Sequence, residues 1–107
     1  MIIYNAEING ELKTVVTENG KIAAVEENRK DGDINADGCR LIPGLIDVHT
    51  HGCIGMDTMD ADFEPMCRFY AEHGTTSFLP TTMTMGYDSL LKVVNAKTDF
   101  AGANILG

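Results

Sequence analysis

Basic side chains are scarce in this sequence. Eight Lys and Arg stand against sixteen Asp and Glu, a formal net charge of -8. Such a surface repels a phosphate backbone and an anionic lipid leaflet alike, which argues against nucleic-acid and membrane-surface partners. Long apolar runs are also missing. Although 44% of residues are hydrophobic, no stretch approaches the roughly 20 residues that a membrane span requires. The opening MIIYNAEING lacks a basic segment followed by a long apolar one, so no secretion signal is read there. Paired cysteines are absent too. Cys39, Cys53 and Cys67 are odd in number and far apart, fitting neither a disulfide framework nor a Cys-x-x-Cys zinc knuckle. Reduced thiols in a cytoplasm are the expectation. With 107 residues, one modest domain's worth of core is the upper bound.

What is present divides into two parts. Through residue 44 the segments IIYNAEI, LKTVVTE and KIAAVEE are rich in strand formers and are separated by Asn9-Gly10 and Asn19-Gly20. Asn-Gly supplies the positive φ angles of a two-residue hairpin turn, so residues 11–26 read as a hairpin. The polar stretch ENRKDGDINADG reads as a surface loop, closed by Pro43 and Gly44.

From Leu45 the rhythm changes. LIDVHTH reads as a strand. DFEPMCRFYAEHG has apolar Phe63, Met66, Phe69 and Tyr70 at helical spacing, with Asp62 as cap, Pro65 in the first turn and Gly74 as the stop. TTSFLP is a second strand, Tyr87, Leu90, Leu91 and Val94 mark a second helix, and ANILG begins a third strand. Alternating strands and helices with single crossovers imply parallel strands, as in a doubly wound sheet or a β/α barrel. A closed barrel needs about 250 residues. The chain is therefore expected to be part of a longer protein and, alone, to self-associate or stay partly disordered.

The candidate chemistry lies in LIPGLIDVHTHGCIGMD, residues 41–57. Strand alternation places Asp47, His49 and His51 on one face and Ile46, Val48 and Thr50 on the other, which should meet helices. Two imidazoles about 6.6 Å apart along the backbone can tilt to reach one divalent cation at about 2.0 to 2.1 Å. His-x-His also occurs by coincidence on surfaces and in cores. Here the pair ends an apolar strand, follows Pro43-Gly44 and precedes Gly52 and Gly55, which let a loop fold closely over a site. Zinc, iron or manganese would each accept such ligands, and two alone do not complete a site. Asp47 is either an orienting group behind the ligands or an interior polar residue. Cys53 reads as a bystander thiol, His73 as a solvated helix-ending histidine, and Met56, Met59, Met83 and Met85 as packing. Asp57, Asp60 and Asp62 read as capping and solvating the first helix.

The motif "IPGLIDVHTHG" resembles the first barrel strand of the amidohydrolase superfamily. More narrowly, "HGCIGMDTMD" and "HGTTSFLPTTMT" are similar to the N-acetylglucosamine-6-phosphate deacetylase family, and "GANILG" looks like its third barrel strand. The resemblance covers almost the whole chain. It implies an α/β fold: part of a small β-sandwich over residues 1–44, then the first strands and helices of a metal-dependent hydrolase β/α (TIM) barrel over 45–107. It implies His49 and His51 as ligands of a divalent metal ion, in the fuller version of a site that some members reduce to a single ion held by later ligands. It implies an amino-sugar phosphate substrate hydrolysed to glucosamine 6-phosphate and acetate; a homo-oligomer in the cytoplasm is expected beside it. The family's glutamate ligand, two later histidines and acid–base aspartate match no position here, so no catalytic residue is assigned and the 107-residue chain is expected to be inactive. Two alternatives stand beside this expectation. One is a dihydroorotase-like or deaminase-like amidohydrolase; the other is a non-catalytic self-associating module.

Overall fold

The computed structural model describes all 107 residues, which form two compact units, Met1–Pro43 and Gly44–Gly107. In the first, β1 (Ile2–Ile8), β2 (Glu11–Glu18) and β3 (Lys21–Glu27) make an antiparallel meander. Its two turns use Asn9-Gly10 (φ 53° and 88°) and Asn19-Gly20 (φ 50° and 73°). Both central residues of each turn are left-handed, which matches the twist of the flanking strands. Ala6, Thr14 and Val15 are the buried residues of this unit. Asn5, at φ 53°, sits at an irregularity in the β1–β2 register. Its backbone N–H donates to Asn28 Oδ1 at 2.8 Å, and the Asn28 amide donates back to Asn5 Oδ1 at 2.6 Å.

The polar stretch after β3 is not only a loop. Within it β4 (Ile34–Asn35) pairs parallel to β1, giving the strand order β3-β2-β1-β4. The Asp33 N–H donates to the Ile2 carbonyl at 2.8 Å and the Ile2 N–H to Asp33 Oδ2 at 2.6 Å. Two residues carry no readable alternation, and their pairing partner lies about thirty positions earlier.

The second unit holds β5 (Leu45–Thr50), the two-stranded β6 (Gly52–Cys53) and β7 (Met56–Asp57), α1 (Glu64–Glu72), β8 (Thr75–Pro80), α2 (Tyr87–Val94) and β9 (Asn104–Ile105). Strands β5, β8 and β9 lie in that order and are all parallel. Phe63, Met66, Cys67, Tyr70, Phe78, Val93 and Ala103 form the core, with the Tyr70 ring 4.6 Å from that of Phe78. Gly74, at φ 84°, stops α1 as expected.

Several local expectations are corrected. Asp62 makes no cap; Phe63 occupies the N-cap of α1 without a side-chain bond, while Pro65 sits in the first turn. Asp57 instead caps a short 3-10 turn, Thr58–Asp60, in a reciprocal box with Asp60. The acidic cluster thus solves the unsatisfied amides of a turn before the helix. On α1 the core face includes Cys67, whereas the Phe69 ring stacks on His73 at 4.1 Å. On α2 the buried flank carries Val93, and Tyr87, Leu91 and Val94 are exposed. Helical periodicity locates a stripe, but the neighbour that arrives decides which flank is covered. Met56 and Met59 pack on the core; Met83 and Met85 are exposed.

Candidate metal centre

His49 lies near the carboxyl end of β5 and His51 in the bend that follows directly, and the two side chains meet there. Their rings meet edge to face, with centroids 4.9 Å apart and an interplanar angle of 86°. The two Nε2 atoms are 3.2 Å apart. Two donors bonded at about 2.1 Å to one tetrahedral ion are separated by about 3.4 Å, so the pair already stands near ligand spacing. Both histidines are exposed, leaving the site open to solvent.

One tautomer follows from the hydrogen bonds. His51 Nδ1 is 2.8 Å from the carbonyl oxygen of Thr81, an acceptor, so Nδ1 carries the proton and Nε2 keeps its lone pair. The proton between the two Nε2 atoms then belongs to His49. This arrangement suits a metal ligand, whose second ring nitrogen is usually tied to an oxygen acceptor. Thr81 follows directly on β8, so the neighbouring parallel strand supplies the acceptor.

Asp47 Oδ1 accepts the backbone N–H of His49 at 3.1 Å; it orients the main chain and touches neither ring nitrogen. Cys53 is partly buried, and burial pushes its thiol pKa up. A thiol held protonated by burial is a poor ligand. His73 lies at the end of α1, its Nδ1 bonded to the Phe69 carbonyl at 2.8 Å, exposed as expected. No group of three or more His, Cys, Asp or Glu side chains converges anywhere in the structure. This chain therefore brings two imidazoles together and no third donor.

The other face of β5 departs from expectation. Ile46 is 61% and Val48 67% exposed, and of this set Thr50 alone is buried. The strand is a sheet edge and α1 packs on its neighbour β8. The expectation that Ile46 and Val48 meet helices is wrong for this structure.

The glycines after the pair build a tight hairpin rather than a loose loop. Gly52 has φ 144°, and a Cβ added there would lie 2.0 Å from the Met56 carbonyl oxygen. Ile54 (φ 46°) and Gly55 (φ 73°) form the tip between β6 and β7. Gly52→Ala is expected to lower the stability of this unit by about 3 kcal/mol, from backbone strain plus the overlap. Urea unfolding of the two proteins measures it.

Sequence reasoning missed Thr50, Tyr70 and the Thr81 carbonyl. The Thr50 and Tyr70 hydroxyl oxygens are 2.6 Å apart and buried. Their only signal was a threonine on the apolar face of β5 and a tyrosine on the core face of α1.

No family model matches the chain. It is 39% identical over 110 residues to an N-acetylglucosamine-6-phosphate deacetylase of Bacillus subtilis (strain 168), an alignment covering 92% of this chain and 26% of the relative. To the enzyme of that name from Vibrio furnissii it is 36% identical over 119 residues, 99% of this chain and 29% of the relative. The crystal structure of N-acetylglucosamine-6-phosphate deacetylase from Thermotoga maritima superposes with a TM-score of 0.62 at 36% identity, over 87% of this chain and 26% of that one. The chain aligns with the amino-terminal part of these relatives and spans between a quarter and a third of their length.

Proposed function

We propose that this chain, whose sequence and fold match the amino-terminal part of the N-acetylglucosamine-6-phosphate deacetylase family, is the ligand-bearing first part of a metal-dependent amidohydrolase acting on that amino-sugar phosphate. The observation that carries the reading is identity of 36–39% across nearly the whole chain. In this reading residues 1–44 are part of a small β-sandwich and residues 45–107 the opening of a β/α barrel. The parallel order β5-β8-β9, with the histidines at the carboxyl end of β5, supports the barrel, because such enzymes place their chemistry at that end.

His49 and His51 would hold the ion, with the Thr81 carbonyl fixing the His51 tautomer that leaves its Nε2 free. Zinc, iron and manganese all suit imidazole donors. When bound, such an ion supplies Lewis acidity, which lowers the pKa of water toward about 7 and polarises an amide carbonyl. The chain's own contribution is to hold two imidazole Nε2 atoms 3.2 Å apart at a strand end, with the lone pair of His51 Nε2 already free and the proton of His49 Nε2 to be given up on binding. It carries no assigned general acid or base. No phosphate-binding residue is assigned here either: the chain is acidic overall, and of its eight basic side chains Lys13, Arg29, Arg40 and Arg68 are paired with carboxylates.

No helix of the structure is long and apolar enough to cross a membrane. We read the three free thiols as belonging to a cytoplasmic protein. We also read the intact protein as a homo-oligomer; the open edges of this sheet continue, in the same reading, into the rest of the barrel.

The test is a chimera in which this chain replaces the aligned segment of the Bacillus subtilis relative. The chimera is expected to release acetate from N-acetylglucosamine 6-phosphate, and the 107-residue chain alone to release none. A folded chimera that is inactive on this substrate yet hydrolyses a cyclic amide or deaminates a base would replace the reading.

A further inference from the structure

Tyr70 is 9% exposed and its ring packs on Phe78, work that a phenylalanine could do. Its hydroxyl has a second engagement. Thr50 Oγ1 donates to the Gly52 carbonyl at 3.1 Å and accepts the Gly52 N–H at 3.2 Å. A threonine hydroxyl has one proton to give and two lone pairs, so the Tyr70 O–H, 2.6 Å away, fills the last position as donor. Two of the three bonds of this hydroxyl thus span His51, the residue between Thr50 and Gly52, and the third anchors it to Tyr70. The backbone is tied as well. The Thr50 carbonyl accepts the Thr81 N–H at 2.7 Å and the Thr58 hydroxyl at 3.3 Å, and the His51 carbonyl accepts the Thr58 N–H at 2.9 Å. The His51 ring then donates from Nδ1 to the Thr81 carbonyl, closing a circuit of hydrogen bonds through the side chain. The His49 ring has no hydrogen bond besides the one to His51.

We propose that Tyr70 and Thr50 are positioning residues for His51: the buried hydroxyl pair holds the Thr50–Gly52 backbone so that the His51 ring keeps its Nδ1–H tautomer and presents Nε2 at ligand spacing from His49. This rests on the reading of the two histidines as ligands of a divalent ion. Deeply buried hydroxyls one position away from a solvent-exposed histidine transmit rigidity from the core to an open site. Helix α1, through Tyr70, therefore acts on a residue it does not touch in the hydrogen-bond circuit.

The experiment reads the imidazole nitrogens of the 107-residue chain by nitrogen–proton correlation spectra at a pH where the rings are neutral, before and during addition of Zn²⁺. In the wild-type chain His51 is expected as the Nδ1–H tautomer, with the Nε2 signals of His49 and His51 moving together as Zn²⁺ is added. Thr50→Val should shift His51 toward the Nε2–H tautomer that free imidazole favours and weaken Zn²⁺ binding about 10-fold, and Tyr70→Phe should do the same to a smaller degree. Thr50→Ser, which restores the hydroxyl, should bind within about 2-fold of wild type. Unchanged tautomer and unchanged Zn²⁺ response in both Thr50→Val and Tyr70→Phe would overturn the proposal. If Thr50→Val fails to fold, Tyr70→Phe decides, since it keeps the ring on Phe78. A wild-type chain whose imidazoles ignore Zn²⁺ would defeat the ligand reading separately, and the tautomer comparison would still judge the positioning role.

Discussion

Replacing His49 and His51 together by alanine should cut the Zn²⁺ affinity of the chimera at least 100-fold, measured by equilibrium dialysis against a competing chelator, and abolish metal-dependent acetate release. The size of the effect follows from the donor count. Changes to groups that merely orient a ligand cost about 10- to 100-fold in metal affinity, and loss of the ligands themselves exceeds that. No third His, Cys, Asp or Glu side chain converges with the pair in this chain, so residues 1–107 offer no replacement donor. Both side chains are exposed. Exposed substitutions of this kind shift stability by less than about 0.5 kcal/mol, so thermal unfolding should hardly change. A double variant that retains the metal at wild-type affinity would remove these histidines from the site.

Phe78→Ala should destabilise residues 44–107 by about 4 kcal/mol, seen in urea unfolding followed at amides of β5 and β8. Phe78 is 0% exposed on the central strand β8 and lies against the Tyr70 ring. Truncation removes its transfer free energy and leaves a cavity that α1 can fill only by moving. The core it belongs to has just seven buried residues, so little redundancy exists. Because total stability of a small domain is about 5 to 15 kcal/mol, such a loss is large. Tyr70 would lose its ring partner at the same time, and the Thr50 clamp should loosen with it. Phe78→Leu, which keeps most of the volume, should cost less than about 1.5 kcal/mol.

The parts of this structure that were legible beforehand share one property: the information sits within a few consecutive residues. Asn9-Gly10 and Asn19-Gly20 announced hairpin turns because few other pairs tolerate two left-handed residues in succession. Pro65 and Gly74 bracketed α1 for equally local reasons. Spacing of two placed His49 and His51 on one side of a strand, and their Nε2 atoms are indeed 3.2 Å apart. What was misread depended on partners distant in sequence. Strand β4 exists because β1 offers it a parallel edge. Asp62 had a capping residue's chemistry, but α1 begins at Glu64 and Phe63 stands at its N-cap. On α2, Tyr87, Leu91 and Val94 have the apolar character of a core face, yet Val93 received the burial.

By itself the order of residues determined the turns, the element types, the alternation of strand and helix, and the adjacency of two imidazoles. Those are consequences of backbone torsion limits and of fixed periods of two and about 3.6 residues, which act without knowledge of the rest of the chain. Only the tertiary structure decided that Thr81 ties down His51, that Tyr70 reaches Thr50, and that Ile46 and Val48 lie uncovered on an edge strand. Each of these depends on which segments meet in space, and such meetings are settled by the summed burial and hydrogen bonding of the folded unit rather than by any local preference.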